Sequence, residues 1–163
     1  MTLSKESYLA AIKALGTTDA ATLQSEQADM TSVQLYEAED HIPDFAAAVA
    51  KKNMMDRPAG QTNGFLCRSS VGNIVRLLQN YNSETYPAEP EELPAQWRFF
   101  WSTDPKRAQP FVSSSTSYYS KDECCTWNGH VWRSTLETAN TWSPTDLPSG
   151  WEDLGTIEEV MAA

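Results

Sequence analysis

The sequence is poor in positive charge. It has 12 Lys and Arg against 22 Asp and Glu, and a net charge of −10 over 163 residues. Binding to nucleic acid relies on clustered Lys and Arg that displace the counterions of phosphates, and binding to an anionic membrane surface needs the same charge. Apolar runs of the length of a transmembrane helix are also lacking. We therefore expect no nucleic-acid partner and no membrane partner.

Cysteine and histidine are few. The three cysteines, Cys67, Cys124 and Cys125, are odd in number, and two of them are adjacent, so the sequence contains no Cys-x-x-Cys pair. A zinc site would need further ligands, and His41 and His130 are the only histidines. We predict reduced thiols packed as small hydrophobic groups, with no metal and no cofactor.

Catalytic motifs are lacking as well. The seven glycines are scattered, so no Gly-rich phosphate loop is formed, and no Gly-x-Ser-x-Gly sequence occurs. Acidic residues cluster between 89 and 92 and at Asp122 and Glu123. A glycosidase needs two carboxylates across a cleft, which small separate units hardly provide. We interpret these carboxylates as solvated loop residues and predict no catalytic residue and no enzyme activity.

The first sixty residues have few aromatic side chains and predict short helices. The first helix ends at Gly16, the third near Ile42 and the fourth near Lys52. Their expected starts are Ser4, Thr18 or Asp19, Thr31 or Ser32, and Pro43, which fits a first helical turn. Because such short helices do not hold alone in water, residues 1–56 form either a supporting bundle or an element for docking and oligomerisation.

From residue 64 onward, short apolar runs bounded by turn residues predict strands over 65–67, 74–78 and 97–101. Two stretches then show the same order of a cysteine, a glycine, an Arg and a Pro-x-x-Trp motif at similar spacing. These residues are Cys67, Gly72, Arg76 and Trp97 in one stretch, and Cys124, Gly129, Arg133 and Trp151 in the other. We predict two related β units over 64–101 and 111–155, and an α+β fold.

The second unit contains a strong hairpin signal. Asn-Gly at 128–129 tolerates positive φ and should join a strand near 123–126 to another at 130–134. The alternation of side chains along a strand then places Val131 and Arg133 on one face, and His130, Trp132 and Ser134 on the other.

Aromatic residues are concentrated in the same region, with all six tryptophans from Trp97 onward. Two short hairpins bury only a few large rings, so some rings should reach the surface, where a sugar ring can stack on them. Each ring belongs either to a small core or to such a platform, with Trp132 and Trp151 favoured for the core. The candidate carbohydrate-binding residues are Trp127, Trp132, Trp142, Tyr118 and Tyr119.

The stretch from 118 to 154 resembles the small chitin-binding-type carbohydrate-binding modules of families five and twelve. The shared features are the Asn-Gly turn, Val131-Trp132-Arg133, Trp142-Ser-Pro144 and Pro148-Ser-Gly-Trp151. The sequence departs from the pattern at 124–125, where Gly-Asp followed by Val is more usual, and at Trp132, a place often held by Tyr. The resemblance implies a three-stranded, non-catalytic unit that binds a polysaccharide or cell-surface glycan.

The layout of a helical N-terminus followed by such a module also resembles small tail- or fibre-associated proteins of bacteriophages and prophages. The first residues lack the apolar stretch of a secretory signal. The resemblance implies a virion protein that is assembled in the host cytoplasm and acts outside the cell, with other virion proteins as partners.

Weak single sites need several copies for useful avidity, so we expect a homo-oligomer formed through the N-terminal helices. The alternative is a structural or decorating virion protein whose aromatic β units mediate subunit contacts and bind no sugar.

Overall fold

The computed structural model describes residues 20–163 and has the predicted α+β architecture. The helix predicted from Ser4 lies outside the described residues. The described part of helix α1 covers 20–26, and the other helices are α2 (Ser32–Glu37), α3 (Phe45–Lys51) and α4 (Ile157–Ala162). The strands are β1 (Leu66–Arg68), β2 (Ile74–Leu77), β3 (Trp97–Phe100), β4 (Gln109–Pro110), β5 (Cys124–Trp127), β6 (His130–Ser134) and β7 (Trp151–Thr156).

Helix α2 begins where the capping signal predicts. The Thr31 hydroxyl accepts from the Gln34 backbone N–H, and the Gln34 side chain accepts from the Thr31 backbone N–H, which forms a capping box. The helix ends at Glu37 and not near Ile42, because a 3₁₀ turn over Glu39–His41 follows it. This turn carries Ile42 into the buried layer beneath the first sheet.

Helix α3 ends within one residue of its predicted end, but its start is later than expected. Asp44 is the N-cap residue, so Pro43 precedes the helix and does not lie in its first turn. The Pro43 carbonyl oxygen accepts a hydrogen bond from the Arg68 backbone N–H at 2.9 Å, which ties the start of the helix to strand β1.

Two sheets with the same core topology follow. Strands β1, β2 and β3 form an antiparallel meander, and β5, β6 and β7 form another, with β4 added in parallel beside β5. The hairpin between β5 and β6 turns at Asn128 and Gly129, both with positive φ, as the sequence predicts.

The registers of the two meanders also correspond. The matching pairs are Cys67–Val75 and Leu77–Trp97 in the first sheet, and Cys125–Trp132 and Ser134–Trp151 in the second. Cys67 thus corresponds to Cys125. The sequence comparison had paired Cys67 with Cys124, which is wrong by one residue. The difference arises because β1 and β2 are joined by residues 69–73, whereas 128–129 alone join β5 to β6.

The Pro-x-x-Trp motif has the same local structure in both meanders. The residue before each tryptophan donates its backbone N–H to the carbonyl of the leucine before the proline, from Gln96 to Leu93 and from Gly150 to Leu147, both at 3.0 Å. The third strand then starts at the tryptophan, and both indoles are buried. Both tryptophans are therefore structural, and for Trp151 this is the role that the sequence analysis favoured.

The helices of 20–56 cover both faces of the first sheet. On one face Leu66, Ile74 and Phe100 pack with Leu23, Leu35 and Ile42. On the other face Phe45, Ala48 and Met54 join the largest core cluster. Residues 20–56 therefore support the first sheet, which is one of the two roles predicted for residues 1–56. The other role, oligomerisation, remains a prediction.

A column of aromatic rings connects the two sheets. Phe99 stacks on Trp101 at 5.3 Å, Trp101 on Tyr119 at 4.6 Å, and Tyr119 on Phe111 at 5.4 Å between ring centroids. Trp151 meets Tyr119 edge to face at 5.2 Å. The units 64–101 and 111–155 therefore share one hydrophobic core.

The second sheet is covered on its other face by α4, where Val160 packs on Cys124 and Val131. The predicted alternation in β6 is confirmed, because Val131 belongs to this cluster and Trp132 packs on the opposite side. Within residues 20–163, every helix is too short or too polar to cross a bilayer.

Candidate functional site

Four side chains lie on one face of the second sheet, beyond its buried part. Trp127 pairs with His130 across the hairpin, and Trp132 pairs with Asp153 of β7. Directly opposed residues point to the same side of a sheet, and so do residues two apart on one strand, such as His130 and Trp132. The four side chains therefore share a face. Trp127, Trp132 and His130 are partly buried, and Asp153 is exposed.

Hydrogen bonds hold the two indoles in place. Trp127 Nε1 donates to Thr145 Oγ1 at 2.8 Å, and Trp132 Nε1 donates to the Trp127 carbonyl at 3.1 Å. The Phe111 ring meets Trp127 edge to face at 5.7 Å. The polar edge of each indole is satisfied within the protein, which leaves the apolar ring surface for contact with a ligand.

A third tryptophan is presented by the loop before β7. The Trp142 side chain is 58% exposed, although its backbone is anchored at both polar atoms. Its N–H donates to Asn140 Oδ1 at 3.2 Å, and its carbonyl accepts from Trp151 Nε1 at 2.9 Å. The bond from Trp127 to Thr145 brings this loop against the hairpin. We call Trp127, His130, Trp132, Trp142 and Asp153 the tryptophan surface.

The polar part of the tryptophan surface is a hydrogen-bonded contact between an imidazole and a carboxylate. His130 Nδ1 lies 2.9 Å from Asp153 Oδ1. The hydrogen bond from His130 lowers the pKa of Asp153, and the Gly155 backbone N–H adds to this effect. The Asp153 carboxylate is thus ionised at neutral pH and can accept hydrogen bonds from hydroxyl groups beside the indole rings.

Tyr119 does not belong to this surface, which corrects its assignment as a candidate. Its side chain is fully buried in the aromatic column, and its hydroxyl oxygen accepts from Val112 N–H at 3.2 Å. Burial raises its pKa well above the usual value. Tyr118 points elsewhere, because neighbouring side chains in extended backbone alternate in direction. It is 36% exposed and lies beside Arg98, 5.7 Å from the guanidinium carbon to the ring centroid.

Two of the carboxylates interpreted as solvated loop residues, Glu91 and Glu123, have a different environment. Glu123 is 5% exposed, and its carboxylate accepts from Ser120 N–H at 2.7 Å. Burial raises its pKa. Glu91 accepts from Ser69 and Asn73, so it fixes the turn between β1 and β2. These two carboxylates are part of the fold and not simply solvated loop residues.

The three cysteines are buried free thiols, as expected. Desolvation raises the pKa of Cys124 to about 11 and that of the other two further. Among residues 20–163, no group of three or more His, Cys, Asp or Glu side chains is arranged to hold a metal ion.

Comparison with protein-family models, with curated proteins and with solved structures finds no match to the chain. The arrangement of side chains therefore carries the functional argument. The structure joins Trp132 to Trp127 by a hydrogen bond, holds the loop that carries Trp142 against their hairpin, and places Tyr118 and Tyr119 elsewhere. It adds His130 and Asp153, which the sequence analysis did not select. The strand alternation already placed His130 on the same face as Trp132, but the pairing with Asp153 depends on the register of β7.

Proposed function

We propose that this protein is a non-catalytic glycan-binding component of a phage virion, in the tail, baseplate or fibre, and that it binds a bacterial surface or environmental polysaccharide. The observation that supports binding is the tryptophan surface. It joins indole rings of fixed orientation to a carboxylate that accepts hydrogen bonds. Apolar ring faces contact the C–H face of a sugar, and the polar groups bind its hydroxyls.

The exposure of Trp142 is central to this proposal. Large apolar side chains are normally buried, because leaving them in water forgoes about 25 cal/mol per Å2 of apolar surface. The Trp142 backbone is anchored, but its ring projects outward. An exposed ring on an anchored backbone is suited to binding, since little conformational entropy is lost when a ligand stacks on it.

We propose that the virion presents several copies of the chain. A shallow aromatic platform binds one sugar segment weakly, and linked copies raise the effective affinity. The alternative is a structural virion protein whose aromatic surface contacts other subunits.

Trp142→Ala tests the tryptophan surface, and Tyr86→Ala is a matched control. Trp142 and Tyr86 are both 58% exposed aromatic residues in the loop that precedes the third strand of their meander. The assay measures depletion of each variant from solution by chitin beads, followed by a glycan array for other polysaccharides. We expect Trp142→Ala to weaken binding about tenfold, or about 1.4 kcal/mol, and Tyr86→Ala to have little effect.

Thermal unfolding should be nearly the same for both variants, because neither ring is buried. Equal binding by wild type and Trp142→Ala would contradict the assignment of the surface. A blank array, together with loss of virion or oligomer assembly in Trp142→Ala, would favour the structural alternative.

A further inference from the structure

A second cleft lies between the start of α2, strand β3 and the loop 118–123. It has a volume of about 340 Å3. Its principal side chains are Ser32, Arg98, Phe100, Tyr118, Lys121 and Glu123. Ligand sites in proteins span about 300–1,000 Å3, so this cleft has the size of a site for one small ring. We call it the Arg98 cleft.

One wall of the Arg98 cleft is aromatic. The Arg98 guanidinium carbon lies 4.7 Å from the ring centroid of Phe100 and 5.7 Å from that of Tyr118. Phe100 is buried, whereas Tyr118 remains 36% exposed. A planar guanidinium held against rings keeps its terminal N–H groups in a fixed direction, which favours bidentate binding of a planar anion.

The charge of Arg98 is not neutralised by an ion pair within residues 20–163. Its Nε is buried and has no hydrogen-bond partner among these residues. Arg76 lies directly opposite in the sheet, is 2% exposed, and bonds only uncharged oxygens there, of Gln27 and Gln61. Like charges in opposed positions destabilise a sheet, so a bound anion would relieve this repulsion.

The same cleft also offers groups that bind hydroxyls. Glu123 is a buried carboxylate that accepts from the Ser120 backbone N–H at 2.7 Å, and the Ser32 hydroxyl and the Arg98 charge also lie close to it. Ser32 and Ser120 provide hydroxyls at the rim. Lys121 is paired with Glu137 and so contributes less free charge than Arg98. A guanidinium, a carboxylate and a partly exposed phenol ring together are suited to a ring that carries both hydroxyls and one negative group.

We propose that the Arg98 cleft binds an acidic sugar, with its carboxylate on Arg98, its ring face on Tyr118 and a hydroxyl on Glu123. The proposal extends glycan binding to a second site with different residues and a different ligand class. It does not depend on the tryptophan surface, since none of the five residues of that surface lines the cleft.

The test is a titration of the ¹⁵N-labelled full chain followed by the Arg98 Nε–Hε signal in the NMR spectrum. The probes are sodium glucuronate, glucose and sodium acetate. We expect glucuronate to bind with a dissociation constant on the order of 1 mM and to shift the Arg98 signal. Glucose lacks the carboxylate and acetate lacks the ring, so each should bind at least about tenfold more weakly.

Three variants complete the test. Arg98→Gln and Tyr118→Ala should each weaken glucuronate binding at least about tenfold, followed by backbone signals of the cleft, whereas Tyr86→Ala should leave it unchanged. Tyr118→Ala removes only a partly exposed ring, so it remains informative if Arg98→Gln unfolds. No shift with glucuronate, equal binding of glucose or acetate, or full binding by Tyr118→Ala would overturn the proposal. Because the signal is local to Arg98, these outcomes are independent of chitin binding through Trp142.

Discussion

Removal of the Trp101 side chain should destabilise both sheets together. Trp101 is 2% exposed, stacks on Phe99 and Tyr119, and donates its indole N–H to the Ser117 carbonyl at 2.9 Å. Replacement of a buried Trp by Ala typically costs about 3–5 kcal/mol, and an unpaired carbonyl adds to this. We expect Trp101→Ala to lose about 4 kcal/mol of unfolding free energy, which lowers the melting temperature by roughly 12 °C for a chain of this length.

Cysteine accessibility provides the assay. Cys67 lies in the first sheet and Cys124 and Cys125 in the second, and all three are buried with raised pKa values. Native protein should therefore react slowly with a thiol reagent at neutral pH. As urea increases, peptide mass spectrometry measures the labelling of each sheet separately.

If the aromatic column makes the two sheets one cooperative unit, the thiols of both sheets become reactive over the same urea range, in wild type and in Trp101→Ala. Tyr86→Ala, an exposed aromatic substitution outside the column, should leave both curves unchanged. Labelling of Cys67 and Cys125 at clearly different urea concentrations would refute the shared core. So would a loss of less than about 1 kcal/mol in Trp101→Ala.

Two further predictions concern a buried carboxylate and a pair of glycines. Burial raises the pKa of Glu123 above 4.5 in the folded state, so its favourable contribution is complete below that pH and is lost as the pH rises through the raised value. Glu123→Gln should therefore be more stable than wild type at neutral pH and lose that advantage in acid. Urea denaturation at several pH values measures the difference in unfolding free energy, and a difference that does not change with pH would contradict this. A Cβ on Gly64 would lie 2.2 Å from the Leu77 carbonyl oxygen, whereas Gly72 has φ +95° and open space around its Cβ position. Gly64→Ala should cost at least about 3 kcal/mol and Gly72→Ala about 1 kcal/mol in thermal unfolding, and equal losses would contradict the packing described for Gly64.

Local signals in the sequence predicted local structure well. The Asn-Gly hairpin, the cap at Thr31 and the two Pro-x-x-Trp turns lie where expected, because each depends on the conformational preferences of a few adjacent residues. The end of α2 and the start of α3 were less predictable. The helix ends early and Ile42 packs under the first sheet, and this depends on residues far along the chain such as Ile74 and Phe100.

The candidate site shows the same division. The sequence contains more aromatic rings than small hairpins can bury, which predicted that some rings are exposed. It could not say which rings those were. Tyr119 is buried because Trp101 and Phe111, from separate parts of the chain, close over its two faces. Its neighbour Tyr118 enters a different cleft altogether.

The sequence by itself determined the α+β class, the two strand-rich units and the composition that disfavours nucleic acid, since these follow from residue types and their local spacing. Only the tertiary structure decided that the two meanders share a register and a core, and that Cys67 corresponds to Cys125. It also decided that Arg98 faces Arg76 and forms no ion pair among the described residues. Strand pairing and ring stacking join residues far apart in the chain, and a single sequence holds no direct record of those contacts.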